Sequence, residues 1–328
     1  MEFTFSRDKA IKVGVHNGIF HTDDVLCVVM IKYLYNKNML DSYQVVRTRD
    51  EKRLSECDIV CDIGCKDIIT DNRLCFDHHQ ADSESYPNGV KMAACGKLFR
   101  YLNNRNYFGL DETGTEYMLE HLFYPIEAQD NGQQNIEEVR CPNQLSFVSA
   151  FNANWDEDQG IQDSRFNEAV FIGYEIFIKL LQRARSTQKI TIEMSQEIDK
   201  YSSNPDGVLI LSKFIPWNEA VLKYNNALHE LDRKMGSIRK IGNEDKGNNI
   251  ISAVVFPAIG EGYNCQMVPV DKGTYDTYHS FPWKGLRGEE LSNVSGIEGG
   301  IFCHPAGFIS GWKTLESAHK AALYAINN

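Results

Sequence analysis

The sequence predicts an α/β protein with a mostly parallel sheet flanked by helices, and three observations lead there. Short apolar runs of strand length alternate with longer runs of helix length. Several of the short runs stop abruptly at aspartate or histidine. The chain has 328 residues and is 42% hydrophobic, enough for a large core and for two domains rather than one.

Ile11–Val15 reads as a buried strand that opens onto His16-Asn17-Gly18-Ile19-Phe20-His21-Thr22-Asp23-Asp24. Residues 25–35 are then nearly all apolar, a core helix that Thr22, Asp23 or Asp24 would cap. In an open α/β sheet such a loop lies at the carboxyl edge of the strands, where ligands bind. His16, His21 and Asp23 are therefore expected at one crevice.

A second strand over 44–48 precedes a short helical run, and a third over 58–61 ends in Asp62, close to Gly64. The Asp62 carboxylate should emerge at the same edge. Leu74, Cys75 and Phe76 then lead into Asp77-His78-His79-Gln80. Successive side chains of a strand face opposite ways, so His78 and His79 should divide the work, one ligating a metal and the other meeting substrate or solvent. The polar segment 80–91 reads as a loop over this site.

Helices follow over 93–103 and about 112–128, the second stopped by Asn131-Gly132. Asp130 would sit at a helix C-terminus, where the dipole disfavours a carboxylate and a nearby cation would relieve it. Glu127 reads as a surface residue, and His121 as an ordinary helix histidine. Two further helices are expected over 167–185 and 191–201. The polar, Pro- and Gly-bearing text at 202–207 then marks a domain boundary, giving domains 1–203, with a linker helix at about 190–201, and 204–328. The second domain should carry strands over 208–211, 250–256 and 264–268 and a helix over 217–228. Residues 239–249 read as an exposed hairpin or loop.

Composition narrows the function. Net charge is −11, which argues against a surface that binds nucleic acid all over. The nine cysteines are scattered, and Cys57, Cys61, Cys65 and Cys75 lack a tight Cys-x-x-Cys turn. They read as free core thiols in a reducing compartment rather than a zinc cluster. No apolar run reaches membrane-span length and residues 1–12 show no signal or transit pattern, so no membrane partner is expected and the cytoplasm, then the nucleus, is the expected location. Nothing in the sequence opposes a homo-oligomer.

The order His16/His21/Asp23, Asp62, Asp77-His78-His79, Asp130 resembles the DHH phosphoesterase superfamily, which includes RecJ-type exonucleases and family II inorganic pyrophosphatases. Within it the chain resembles the melanocyte-proliferating-gene (Myg) family. The resemblance is carried by His-Asn-Gly-x-Phe-His-x-Asp at 16–23, Val-Arg-Thr-Arg-Asp at 46–50, Cys-Asp-Ile-Val at 57–60, Asp-His-His-Gln at 77–80 and Asp-Asn-Gly at 130–132. Further matches are Pro-Trp at 216–217, Trp-x-Gly-Leu-Arg at 283–287, Val-Ser-Gly-Ile at 294–297 and Ile-Phe-x-His at 301–304.

That resemblance implies a DHH-type catalytic domain, a smaller C-terminal α/β substrate-binding domain across a cleft, and a 3′-to-5′ exonuclease acting on RNA or short oligonucleotides. It implies two Mn2+ or Mg2+ ions, one on His16, His21 and Asp62, the other on Asp23, His78 and Asp130, with Asp62 as the bridge. Asp77 would orient His78 or the backbone, and His79 would touch a phosphate oxygen. Arg287, Gly299, Gly300 and His304 would grip the substrate. The chain departs from the family in Asp24, where a glutamate is expected, in Gly300 and Pro305, and in lacking a presequence, which counts against mitochondria. A hydrolase of pyrophosphate, a nucleotide or an oligonucleotide is the alternative activity, and a non-catalytic metal-binding protein the third.

Overall fold

The computed structural model describes residues 9–64, 67–70, 72–79, 84–133, 146–203, 205–234, 250–272 and 274–328. Contacts divide the chain into two compact units, Met1–Gln188 and Lys189–Asn328.

In the first unit, β1 (Ile11–Val15), β2 (Tyr43–Arg47), β3 (Ile59–Cys61), β4 (Ile68–Ile69) and β5 (Leu74–Phe76) form one sheet in the order β2-β1-β3-β5-β4. Every pairing is parallel except that of β4. Gly14 lets α2 (Glu51–Ser55) and the turn after it press on β1, since a Cβ there would lie 3.0 Å from Leu54 and 3.1 Å from the Cys57 sulfur. Helix α1 (Thr22–Asn36) is buried almost all round, from Asp23 to Ile31 without a break, as its near-continuous apolar text requires. Its N-cap is His21 rather than Thr22, Asp23 or Asp24, and the Asp24 carboxylate reaches back to accept from the His21 amide at 3.0 Å. Beyond α1 the core is aromatic: Phe99 stacks between Phe108 and Phe123, at centroid distances of 5.4 and 4.3 Å.

Helix α3 (Ala94–Asn103) follows the sequence reading closely. The expected helix over 112–128 is interrupted: α4 (Glu112–Met118) passes through a π-helical turn, Leu119–Phe123, into α5 (Tyr124–Asp130). Pro125 has no amide to continue an α ladder at this point. Asp130 is the last residue of α5, and Gly132 (φ 68°) ends the run.

The two helices expected over 167–185 and 191–201 are one, α6 (Gln162–Ser202). The text between them, Ser186-Thr187-Gln188-Lys189-Ile190, contains neither glycine nor proline, so nothing breaks the hydrogen-bond ladder.

The second unit holds a mixed sheet, β6-β7-β8-β10-β9, built from β6 (Val208–Ile210), β7 (Ala253–Pro257), β8 (Tyr263–Met267), β9 (Gly300–Cys303) and β10 (Ile309–Trp312). Its helices are α7 (Asn218–Lys234), α8 (Gly288–Ser295) and α9 (Leu315–Asn327). One core gathers Phe281, Trp283, Met267 and Trp312 with the alanine face of α9, and another packs Met194 and Tyr201 of α6 on Leu209, Trp217 and Val254. Sequence reading passed over α8, α9, β9 and β10. A cap signal was present for α9, because the Thr314 hydroxyl accepts from the Ser317 amide at 3.1 Å. The expected hairpin over 239–249 lies outside the described residues, as does Cys65.

Continuity of α6 is testable: Gln188→Pro removes a mid-helix bond and should cost about 3 kcal/mol, read as a clear fall in melting temperature, whereas two separate helices would tolerate it.

Candidate metal centre

The parallel register assembles the site. Val15 pairs with Arg47, Gly14 with Val60 and Cys61 with Phe76, so β1, β3 and β5 end level with one another. The residues just past those ends are His16, Asp62 and Asp77-His78-His79. Asp62 adopts a left-handed conformation, φ 56°, which is uncommon outside glycine and tolerated best by Asn and Asp. Its amide donates to the Phe76 carbonyl at 3.0 Å, and its carboxylate lies between two rings, 3.4 Å from His16 Nε2 and 3.2 Å from His78 Nε2.

From the other direction, α5 brings Asp130 to 3.0 Å from His78 Nε2 and 3.9 Å from His21 Nδ1. The first turn of α1 brings Asp23 to 3.9 Å from the same His78 nitrogen. Among the described residues, three triads have ligand atoms within 4.8 Å of one another: His16, His21 and Asp62; Asp23, His78 and Asp130; and Asp62, His78 and His79. The fold thus brings all six expected ligands to one edge of the sheet. No described cysteine joins a triad; Cys57, Cys61 and Cys75 are buried thiols outside any disulfide.

Asp77 takes a particular part. Its carboxylate accepts from the His78 amide at 2.9 Å and from His79 Nδ1 at 2.8 Å, so the ring it orients is that of His79, not that of His78. The two histidines differ in exposure: His79 is 61% exposed, His78 only 6%. Lys97 and Asp67 clamp the same turn, Lys97 Nζ donating to the Asp77 carbonyl at 2.6 Å and Asp67 accepting from the Asp77 amide at 3.1 Å.

Charge is concentrated here. Burial works against the Asp62 carboxylate, yet bonds from His16 and His78 hold it down to about 2. Burial likewise opposes an imidazolium at His78, but Asp130, Asp62 and Asp23 push its pKa up to about 11. Burial and the neighbouring carboxylates raise Asp23 well above the ordinary range, and burial takes Asp24 to about 7. Asp24 Oδ2 is fully buried, with no hydrogen bond among the described residues, 3.4 Å from His16 Nε2. Carboxylate and imidazole donors without thiolate, and a buried carboxylate oxygen that lacks a hydrogen bond, fit hard divalent cations such as Mn2+ or Mg2+.

Three parts of this site escaped sequence reasoning. Asp24 read as a cap. Glu127, read as surface, is wholly buried: its carboxyl accepts from the Ala93 amide at 2.8 Å at the start of α3, and burial raises its pKa well above normal. Just beyond, the Ala94 and Cys95 amides donate to Asp23 at 3.1 and 2.6 Å. Asn131 read only as a helix stop. Its amide nitrogen donates to the carbonyls of Glu127 (2.9 Å) and Lys91 (3.1 Å), which turns its oxygen toward His78 Nδ1 at 3.2 Å. His78 therefore carries a proton on Nδ1, leaving Nε2 to face the acidic groups. No short-range pattern signals any of the three.

Arg287, Gly299, Gly300 and His304 belong to the second unit, where residues 283–287 run beside β9. Both glycines have packing reasons. Gly299 has φ 79°, and a Cβ on Gly300 would lie 2.8 Å from Leu291. The exposed His304 accepts from the Ala306 amide through Nδ1 at 3.1 Å, so Nε2 carries the outward proton.

Sequence comparison then identifies the relatives. Residues 12–326 match the profile MYG1_exonuc, described as an uncharacterised protein family (UPF0160). The chain belongs to the MYG1 exonuclease family. Similar members include MYG1 protein C27H6.8 of Caenorhabditis elegans, 28% identical over 96% of this chain and 94% of its own length. MYG1 exonuclease of Bos taurus is 27% identical over 94% of this chain and 82% of its own. A crystal structure of RecJ in complex with Mn2+ from Thermus thermophilus aligns with 96% of this chain at 12% identity and a TM-score of 0.26. The alignment spans 51% of the RecJ chain, and so slight a likeness transfers no residue roles.

Two outcomes follow for the centre. Asn131→Ala should weaken Mn2+ binding by about 10- to 100-fold in calorimetry, with the His78 Nδ1–H exchanging faster with water in 15N spectra of the metal-free protein. Because His78, its pKa pushed up to about 11, holds a proton at neutral pH in the metal-free protein, a cation must displace it. Mn2+ affinity should therefore rise from about pH 6 to about pH 8, with net proton release measurable in buffers of different ionisation enthalpy.

Proposed function

We propose that this chain is a metal-dependent phosphodiesterase, most specifically a 3′-to-5′ exonuclease acting on RNA. The observation that carries the reading is the placement of Asp62, a buried carboxylate shared by two ligand triads at the carboxyl edge of the sheet. Family membership supports it, as do relatives named MYG1 exonuclease in Bos taurus and Homo sapiens.

His16, His21 and Asp62 would hold one ion, and Asp23, His78 and Asp130 the other, with Asp62 between them. Such a pair lowers the pKa of water and offsets charge at phosphorus during an in-line displacement. The protein supplies the rest. Asn131 holds the Nδ1–H of His78, so Nε2 is the nitrogen that would turn to an ion once its proton has left. Asp77 holds the exposed His79 ring through Nδ1, and its other nitrogen, Nε2, would hydrogen-bond a phosphate oxygen or pass a proton to the departing oxygen. In the second unit, Arg287 and the Nε2–H of His304 are our choices for donors to substrate phosphates, and Gly299 and Gly300 shape that segment.

One observation favours a second reading, hydrolysis of a small phosphorylated molecule. The pocket at the centre, lined by His21, Thr22, His78, His79, Gln129, Asp130, Asn131 and Ser149, has a volume near 480 Å³, the scale of a small-molecule site.

The test is to incubate the protein and Mn2+ with end-labelled RNA, DNA, dinucleotides and pyrophosphate in parallel. RNA should shorten stepwise from its 3′ end, and Asp62→Asn should slow this by at least about a hundredfold. Turnover of pyrophosphate or nucleotides with intact RNA would favour the second reading instead.

A further inference from the structure

The Val-Arg-Thr-Arg-Asp run at 46–50 brings two arginines to the carboxyl edge of β2, next to the metal centre, and they are not equivalent. Arg47 has a buried side chain held through both terminal nitrogens, its Nε alone lacking a hydrogen bond among the described residues. Its guanidinium donates to Asp163 at 3.0 Å and to the Gly18 carbonyl at 2.6 Å, lies 4.6 Å from the Phe166 ring centroid and 5.4 Å from that of Phe20, and its side chain is only 3% exposed.

Arg49 is exposed. Only Nη1 is engaged, donating to the Asn17 carbonyl and, at 3.2 Å, to Asn17 Oδ1. Among the described residues its Nε and Nη2 make no hydrogen bond. The Asn17 carbonyl that holds Arg49 is also the partner of His16 Nδ1, at 3.4 Å. The guanidinium is therefore fixed one carbonyl oxygen away from a residue of the metal-ligand cluster, with two donor groups that no described residue takes up.

Register explains this placement. Val15 pairs with Arg47 across β1 and β2, which sets residue 49 beside residue 17. Along the sheet edge the order is Arg49, then Asn17 and His16, then Asp62, then Asp77 and His78. Neighbouring strands lie about 4.8 Å apart, so the Arg49 backbone stands roughly 10 Å from that of Asp62. A phosphodiester bound at the ligand cluster would have its neighbouring phosphates within reach of a long side chain over such a distance.

We propose that Arg49 binds a non-scissile phosphate of the substrate strand, through the Nε and Nη2 edge that no described residue engages. A planar guanidinium with two adjacent donors matches phosphate oxygens well, and a strongly acidic cluster needs a cation beside it to admit a polyanion. The proposal rests on the phosphodiesterase reading and deepens it, because a contact beyond the scissile group distinguishes a strand from a single phosphorylated molecule.

The experiment measures binding rather than turnover. Fluorescein-labelled oligouridylate is titrated with the full chain, Ca2+ replacing Mn2+ to hold back cleavage, at several salt concentrations. Arg49→Gln should weaken binding about tenfold at low salt and reduce the slope of log K against log salt by about 0.7, the contribution of one phosphate on a single strand. Arg49→Lys, which keeps the charge, should restore most of that slope. Mn2+ affinity, measured alongside, should stay near wild type in both variants. An unchanged salt slope in Arg49→Gln overturns the proposal, and so does a matched fall in Mn2+ affinity in both variants, which would make the residue a brace for the His16 loop. Wild-type protein that shows no salt-dependent binding to oligouridylate would overturn the strand-cleaving reading itself.

Discussion

The constraint on which the centre depends is the left-handed turn at Asp62. A residue directly after a parallel strand would ordinarily continue extended, with its side chain above or below the sheet. At φ 56° the chain instead turns at once, and the carboxylate lies between His16 and His78. The Asp62 amide remains bonded to the Phe76 carbonyl, so β3 and β5 stay paired up to the point where they diverge. The ring positions follow from this. His16 ends the neighbouring strand on one side, and His78 follows the one on the other.

Five aspartates lie in or around a small, largely buried volume: Asp23, Asp24, Asp62, Asp77 and Asp130. Buried like charges are costly, and a metal-free protein can relieve them only by taking up protons. The opposed shifts of neighbouring groups reflect this: Asp62 is held down to about 2 while His78 rises to about 11. The backbone and surrounding contacts are disposed so that the acids are not simply neutralised. Lys97, buried near the turn, contacts Asp67 and a main-chain carbonyl instead of a ligand carboxylate.

Much of this was legible in the text, because strands ending in acids or histidines carry their signal within a few residues. Asp62 and Asp77 each follow an apolar run, and the parallel sheet converts that common position into proximity. What stayed hidden depends on distant partners. Glu127 has the sequence surroundings of a surface helix residue and is buried because the Ala93 amide, 34 residues earlier, needs an acceptor. Asn131 signals a helix end equally well whether or not its amide meets a histidine 53 residues away. The continuity of α6 was missed for another reason: the polar text at 186–190 split one helix into two readings, 167–185 and 191–201, although nothing in it opposes helix.

The seat of Asp23 has its own consequence. Both of its oxygens accept main-chain amides at the start of α3, where the aligned peptide groups present a partial positive charge. A carboxylate already attended in this way gives up less electron density to a metal than a free one does. In the proposed two-ion arrangement, the position that Asp23 serves would thus be the weaker of the two.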